Sequence, residues 1–278
     1  MILIDGKKLA EKIKDEVVKE VLALSERPNL AIVIVGDKSD SRLYVSLKER
    51  QAKTVGIDTH VYRLAENISE EELTETIKFL NSDETIDAIL LQLPLPEHLN
   101  TDNVVGAIDP EKDVDGFHPS NLSKIMADCE ISVEPPLVLV VLEILKSINF
   151  SISGKKAIII ANSDFFGQVI KRVLECRGAQ TELILASDFK AEQTCEADLL
   201  VTAVGQPGII KGVAVKQDAV IIDIGISHDE MGKVVGDVDF DSVKDKVSYL
   251  TPVPGGVGPM TIAMAFKNTV KIFKQRHR

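Results

Sequence analysis

Apolar residues recur along this chain at two alternating rhythms, and the alternation itself predicts an architecture. Between Lys7 and Leu24, the residues Leu9, Ile13, Val17, Val21 and Leu24 fall on one helical stripe, whereas Asn29 to Val35 is an unbroken apolar run suited to a buried strand. The same reading predicts a helix over 41–55, a strand over 59–63, a helix over 70–80 and a strand over 88–91. Ahead of them, Ile2-Leu3-Ile4-Asp5 reads as strand-like. Helices alternating with strands favour a parallel sheet wrapped by helices. After Leu91 the rhythm breaks, because Leu93-Pro94-Leu95-Pro96 cannot continue a helix or a central strand, and Asp109 to Asn121 is rich in turn formers. A long ordered loop region is expected there. A second series follows: a helix over 138–146, a strand over 156–160, a helix over 167–177 and strands over 181–185, 199–203 and 220–224. An amphipathic helix over 261–274 closes the series. The expected fold class is therefore α/β with two domains, at 1–136 and 137–256, the last helix (257–278) returning to complete the first.

Composition changes this picture little. With 278 residues, 45% apolar and 27% charged, the chain has material for one or two cores and no mark of disorder. A net charge of −11 without a basic cluster argues against nucleic-acid binding. No basic leader and no apolar run near the ~18 residues of a membrane span is present, so a cytoplasmic protein without membrane association is expected. Cys129, Cys176 and Cys195 are scattered without metal or redox spacing; they are expected as small core residues, with neither a disulfide framework nor a zinc site. His118 alone is no metal signal, and no metal is expected.

Four stretches carry candidate chemistry. Tyr44 and Lys48 stand four residues apart, on one face of a helix that follows a strand, and a partly desolvated lysine beside an aromatic ring can shuttle protons. Gln92 ends a buried strand, where open α/β sheets place their ligands, and Leu93, Pro94 and Leu95 form a stiff rim after it. In Lys112-Asp113-Val114-Asp115-Gly116-Phe117-His118-Pro119 a carboxylate is available for a cationic or amino-bearing ligand. Thr251 to Thr261 holds three glycines and three prolines just before a helix, allowing close backbone approach to a ligand. Each has a plain alternative: an exposed amphipathic helix, prolines that stop a strand, a solvated Asp-Gly turn, a surface loop.

Taken together and in this order, with Gly236-Asp237-Val238-Asp239, these stretches resemble the bifunctional methylenetetrahydrofolate dehydrogenase/methenyltetrahydrofolate cyclohydrolase family along almost the whole chain. The resemblance implies an N-terminal three-layer parallel-sheet catalytic domain that binds folate and a C-terminal Rossmann-type dinucleotide-binding domain. It also implies a cytoplasmic homodimer formed through the C-terminal domain, a tetrahydrofolate derivative as substrate and NADP as cofactor. By it, Lys48 is the acid/base, Tyr44 stacks on the folate, Gln92 orients the lysine and Asp115 holds the pterin, with Leu93, Pro94, Leu95, Pro254, Gly255, Gly256 and Pro259 lining the substrate. Ala161, Asn162, Ser163, Gly167, Gly205 and Ile226 fall on the cofactor site. The implied chemistry is oxidation of the methylene carbon to a methenyl cation, then hydrolysis to 10-formyltetrahydrofolate.

The departures gather in the second domain. The family loop Pro-Cys-Thr-Pro-x-Gly reads here Pro135-Pro136-Leu137-Val138-Leu139-Val140, and Gly-Arg-Ser-x-x-Val-Gly-x-Pro reads Ala161-Asn162-Ser163-Asp164-Phe165-Phe166-Gly167-Gln168-Val169. Asparagine offers no charge to a 2′-phosphate, and Asp164 opposes one, so NADP is expected to bind weakly or not at all, with NAD less disfavoured. Alternatives are a cyclohydrolase only, or a folate-binding paralogue that has lost dinucleotide binding. A shikimate-dehydrogenase-like oxidoreductase would need a glycine-rich fingerprint over 161–167, where only Gly167 stands.

Overall fold

The computed structural model describes residues 1–37, 39–129 and 133–277. In chain order its regular elements are β1 (Ile2–Leu3), α1 (Gly6–Leu22), β2 (Asn29–Val35), α2 (Ser39–Val55), β3 (Asp58–Leu64), α3 (Glu70–Ser82), β4 (Ala88–Leu91), α4 (Thr101–Gly106), α5 (Pro119–Asp128) and α6 (Pro136–Ser147). They continue with β5 (Lys156–Ala161), α7 (Asp164–Glu175), β6 (Gln180–Leu185), β7 (Leu199–Ala203), β8 (Val220–Asp223), β9 (Ser227–His228), β10 (Val234–Val235), α8 (Phe240–Val243), β11 (Tyr249–Leu250) and α9 (Val257–Arg276). The chain divides into two compact units, one of Glu11–Lys124, Glu130–Pro136 and Ile262–Arg278, the other of Met1–Ala10, Ile125–Cys129 and Leu137–Thr261.

The first unit is built on a three-stranded parallel sheet, β3-β2-β4. Its central strand is apolar and buried from Leu30 to Val35 because both faces are covered. Leu30, Ile32 and Ile34 pack with Val17 and Val21 of α1, Val45 and Ala52 of α2, and Phe266 and Val270 of α9. The alternate residues Ala31, Val33 and Val35 pack with Leu73, Ile77 and Leu80 of α3 and Val104 of α4. Helix, sheet and helix make the three layers. Helix α3 starts where the sequence supplies a capping box: Ser69 Oγ accepts from the Glu72 amide at 3.2 Å, and Glu72 accepts from the Ser69 amide at 3.0 Å.

The second unit holds a six-stranded parallel sheet in the order β1-β11-β8-β7-β5-β6. Read from β5, the chain steps outward to β6 and then returns past β5 to β7, so a topological switch point lies between β5 and β7, the place where doubly wound sheets bind ligands. Helix α7 lies close on the sheet because Gly167 has no side chain; a Cβ there would stand 2.4 Å from Leu183. Ile158, Ile160, Leu200, Ile221, Val243 and Leu250 form the core on one side.

Four findings depart from the sequence reading. The expected loop region contains two helices, α4 and α5, the first capped by Asn100 and the second opened by Pro119. Helix α7 begins at Asp164 rather than 167, because Ser163 caps it. Residues 2–3, expected within the first domain, form an edge strand of the second unit's sheet by pairing with Tyr249 and Leu250. The cysteine expectation is corrected: Cys129 and Cys176 form a disulfide, and Cys195 is exposed rather than in a core. Two helix C-termini meet there, held together also by Arg172, whose guanidinium donates to the carbonyls of Ile125 and Ala127. Spacing along the chain carries no trace of such a meeting.

Candidate active site

Residues at the carboxyl ends of β2 and β4 converge in the first unit. Helix α2 carries Tyr44 and Lys48 one turn apart, and Tyr44 is 43% exposed. Gln92 directly follows β4 and extends its pairing, donating its amide to Val33 O at 2.8 Å. Its side chain is fixed at both ends: Nε2 donates to Leu93 O at 2.7 Å, and Oε1 accepts from Lys48 Nζ at 3.0 Å. An amide locked by its own neighbour gives the lysine one direction in which to point. Leu93 is half-buried, Leu95 is buried and Pro94, joined by a cis bond, is exposed.

Asp115 reaches the same place from a segment bound alongside β4. The Ile89 amide donates to Lys112 O at 2.7 Å, and the Val114 amide donates to Ile89 O at 3.1 Å. Beneath this segment Lys112 is fully buried, its Nζ donating to the carbonyls of Leu80, Asn81 and Asp83 at 3.0, 2.8 and 2.8 Å, the last turn of α3 and its cap. Asp113, also buried, accepts from the amides of Asp115 at 3.1 Å and His118 at 2.7 Å. Gly116 turns the chain at φ +66°, where a Cβ would meet Val133 O at 2.9 Å. Of the two carboxylates in this loop, Asp113 is consumed in building it and Asp115 is presented.

Burial acts oppositely on the two ionisable partners. It holds Lys48 below the usual lysine range, with the Asp115 charge opposing part of that effect. It pushes Asp115 up to about 6, with Lys48 opposing and Asp113 adding to the rise. A lysine that can lose its proton beside a carboxylate that can gain one is a proton-transfer pair.

The remaining expected site residues lie in the second unit. Pro254, Gly255, Gly256 and Pro259 occupy the loop after β11 and the first turn of α9, with Gly256 donating to Pro252 O at 2.8 Å. Ala161 ends β5 and is fully buried; Asn162 donates its side-chain amide to Val204 O; Ser163 accepts from the Phe166 amide at 3.3 Å. Gly167 serves packing against Leu183. Gly205 stands at φ +73° beyond β7, where an added Cβ would find nothing closer than 3.7 Å, and Ile226 is 55% exposed. Gly205, Asn162 and the first turn of α7 thus border the switch point. Helix N-terminal amides and a glycine with an open face fit the backbone of a dinucleotide. Asp188 lies three residues beyond Leu185, whose strand partner is Ala161. Among the described residues no cluster of His, Cys, Asp and Glu could hold a metal, and no helix is long and apolar enough to cross a membrane.

Comparison with known proteins finds two domains of one family in this chain. The catalytic domain of tetrahydrofolate dehydrogenase/cyclohydrolase matches residues 4–115, and the NAD(P)-binding domain of the same family matches residues 135–277. The bifunctional protein FolD of a Nitratiruptor species is 44% identical over 285 residues, covering 100% of both chains. The crystal structure of bifunctional FolD from Campylobacter jejuni, 40% identical, superposes with a TM-score of 0.94 over 99% of each chain. That of the Trypanosoma brucei enzyme, complexed with NADP and an inhibitor, is 32% identical with a TM-score of 0.94, covering 100% of this chain and 98% of that one. On sequence, fold and the succession of its two domains, the chain belongs to the tetrahydrofolate dehydrogenase/cyclohydrolase family.

Proposed function

We propose that this chain oxidises 5,10-methylenetetrahydrofolate to 5,10-methenyltetrahydrofolate with a nicotinamide dinucleotide, and hydrolyses the product to 10-formyltetrahydrofolate. The observation that carries this reading is the half-buried Lys48, lowered in pKa by desolvation and fixed by Gln92 beside Asp115. In the hydrolysis, neutral Lys48 takes a proton from water as the water oxygen bonds to the methenyl carbon. The ammonium so formed returns a proton to N5 as the bond from carbon to N5 breaks, and the hydroxyl proton leaves as the formyl carbonyl forms. One water is consumed and one proton released. Gln92 keeps Nζ aimed throughout, Asp115 stabilises the ammonium and faces the amino-bearing edge of the pterin, and Tyr44 offers its exposed ring for stacking. The dinucleotide, when bound, accepts two electrons and one hydrogen from the methylene carbon.

The second unit favours NAD over NADP. Asn162 is uncharged and committed to Val204 O, while Asp164 and Asp188 put two carboxylates at the ends of β5 and β6. An acidic residue in that region suits ribose hydroxyls and repels a 2′-phosphate. The protein acts as a homodimer through its C-terminal domain and works in the cytoplasm.

The test is purified protein with 5,10-methenyltetrahydrofolate, followed by absorbance. Parent protein should hydrolyse it, and Lys48→Met should be slower by roughly 10²–10⁴, the usual worth of a positioned acid/base. Equal rates would remove Lys48 from the mechanism. Isothermal titration with both dinucleotides should give tighter binding of NAD; tighter binding of NADP would overturn the cofactor preference.

A further inference from the structure

The second unit buries two carboxylates that the proposed chemistry does not use. Asp237 is 0% exposed and Asp223 2%. Asp237 is saturated: Oδ2 accepts from Thr202 Oγ1 and the Val204 amide, both at 2.7 Å, and Oδ1 accepts from the amides of Gly205 at 2.7 Å and Gln206 at 2.9 Å. Three consecutive amides after β7 therefore converge on one anion, an arrangement that proteins use to cradle phosphates, here filled from within the chain. Asp223 in turn accepts from the amides of Gly225 at 3.0 Å, Asp237 at 3.2 Å and Val238 at 3.0 Å. Glycines make room for both carboxylates: a Cβ on Gly225 would stand 2.1 Å from Asp237 Oδ1, and one on Gly236 would stand 2.1 Å from Asp223 Oδ2. The stretches 223–225 and 236–237 interlock, and neither admits a larger residue.

The consequence reaches the switch point. The amides of 204–206 are gathered by Asp237, the Val204 carbonyl is taken by Asn162, and the Gly205 carbonyl accepts from Ser227 Oγ. The polar main-chain groups of the Gly205 turn with a named partner are thus bonded within the unit, and a Cβ on Gly205 would find nothing closer than Ile226 O at 3.7 Å, so free space remains beside the turn. We propose that Asp237 is a positioning residue for dinucleotide binding: it folds the Val204-Gly205-Gln206 turn into the shape that receives the ligand, without touching the ligand itself. The proposal rests on the reading that the second unit binds a dinucleotide.

Thr202→Val removes one donor to Asp237 at nearly constant volume, and Asp237→Asn replaces one acceptor oxygen by a donor. Dissociation constants for NAD and NADP are measured by titration, alongside thermal midpoint and hydrolysis of methenyltetrahydrofolate. Loss of one hydrogen bond to a carboxylate converts to at most roughly 12- to 150-fold weaker dinucleotide binding for Thr202→Val, with hydrolysis within twofold of parent and KM for the dinucleotide rising at constant kcat. Asp237→Asn, where it folds, should weaken binding more. A merely structural Asp237 would lower the midpoint in Thr202→Val and leave the dissociation constants unchanged, and that result overturns the proposal. A parent protein that hydrolyses methenyltetrahydrofolate but binds neither dinucleotide would instead overturn the dehydrogenase half of the functional reading, and this proposal with it.

Discussion

Lys112→Met separates the support of the active site from its chemistry. The substitution keeps an unbranched apolar stem and deletes three hydrogen bonds to the carbonyls of Leu80, Asn81 and Asp83. A buried acceptor left unpaired costs about 1–3 kcal/mol. The bond to Leu80 is buried and the other two partly so, which allows water to replace the latter pair in part; the sum is about 3–5 kcal/mol. Methionine also escapes the desolvation that holds Lys112 below the ordinary lysine range, and this offsets part of the loss. The net destabilisation is about 2–4 kcal/mol, or a midpoint lower by roughly 5–15 °C for a chain of this size. Activity should respond differently. Main-chain bonds from Ile89 to Lys112 and Val114 survive the substitution, so Asp115 stays in place and hydrolysis at 25 °C should fall less than about tenfold, below the worth of a lost acid/base. Calorimetry and the absorbance assay on the same preparation test both halves. An unchanged midpoint would refute the capping role, and a hundredfold loss of activity in folded protein would refute the independence of Asp115 from the lysine beneath it.

Asp115→Ala should show the reverse pattern, with folate affinity lower by about 1–3 kcal/mol, roughly 5- to 150-fold, and little change in midpoint; unchanged affinity measured by titration would reduce Asp115 to a turn residue. Asp223, pushed up to about 7 by burial and by Asp237, keeps a proton in the folded state that the unfolded chain releases near pH 4. Its sign is that of a raised acid: stability falls as pH rises from about 4 to about 7 and then levels. Urea unfolding at pH 5.5 and pH 8 should show this slope, and Asp223→Asn should flatten it; an equal slope in the variant assigns the effect elsewhere. Reduction of the Cys129 to Cys176 disulfide, or Cys176→Ser, should cost about 2–4 kcal/mol of stability in thermal unfolding, and identical midpoints with and without dithiothreitol would show that the bridge contributes nothing.

Long periodic elements were legible in the sequence because each buries one face along its whole length. Strand β2 is read to its end residues, and the four-residue spacing of Tyr44 and Lys48 and the strand end at Gln92 survive as geometry. What escaped depends on partners distant in the chain. Helices α4 and α5 are short and start at Asn100 and Pro119, residues that equally well begin turns. Gly167 looked like the boundary of a helix and is in its interior, tolerated because Leu183 fills the space a side chain would need. Lys112 and Asp113 looked like a solvated charged loop, and only the end of α3 above one and the amides around the other explain their burial. Asp237 was visible as a motif, but its task lies in amides some thirty residues earlier.

The pairing of β1 with β11 bears on how this chain can be made and cut. Ile2 waits for Tyr249, and at ribosomal rates of about 5–20 residues per second that wait is about 10–50 s. The other unit waits too, since Phe266 and Val270 belong to its core. The first unit's core cannot be completed before α9 leaves the ribosome, nor the second unit's sheet before β11 does, so both units finish folding late. For the same reason a cut near residue 136 does not yield two separable domains: the front fragment lacks the helix that seals its sheet, and the rear fragment lacks its edge strand.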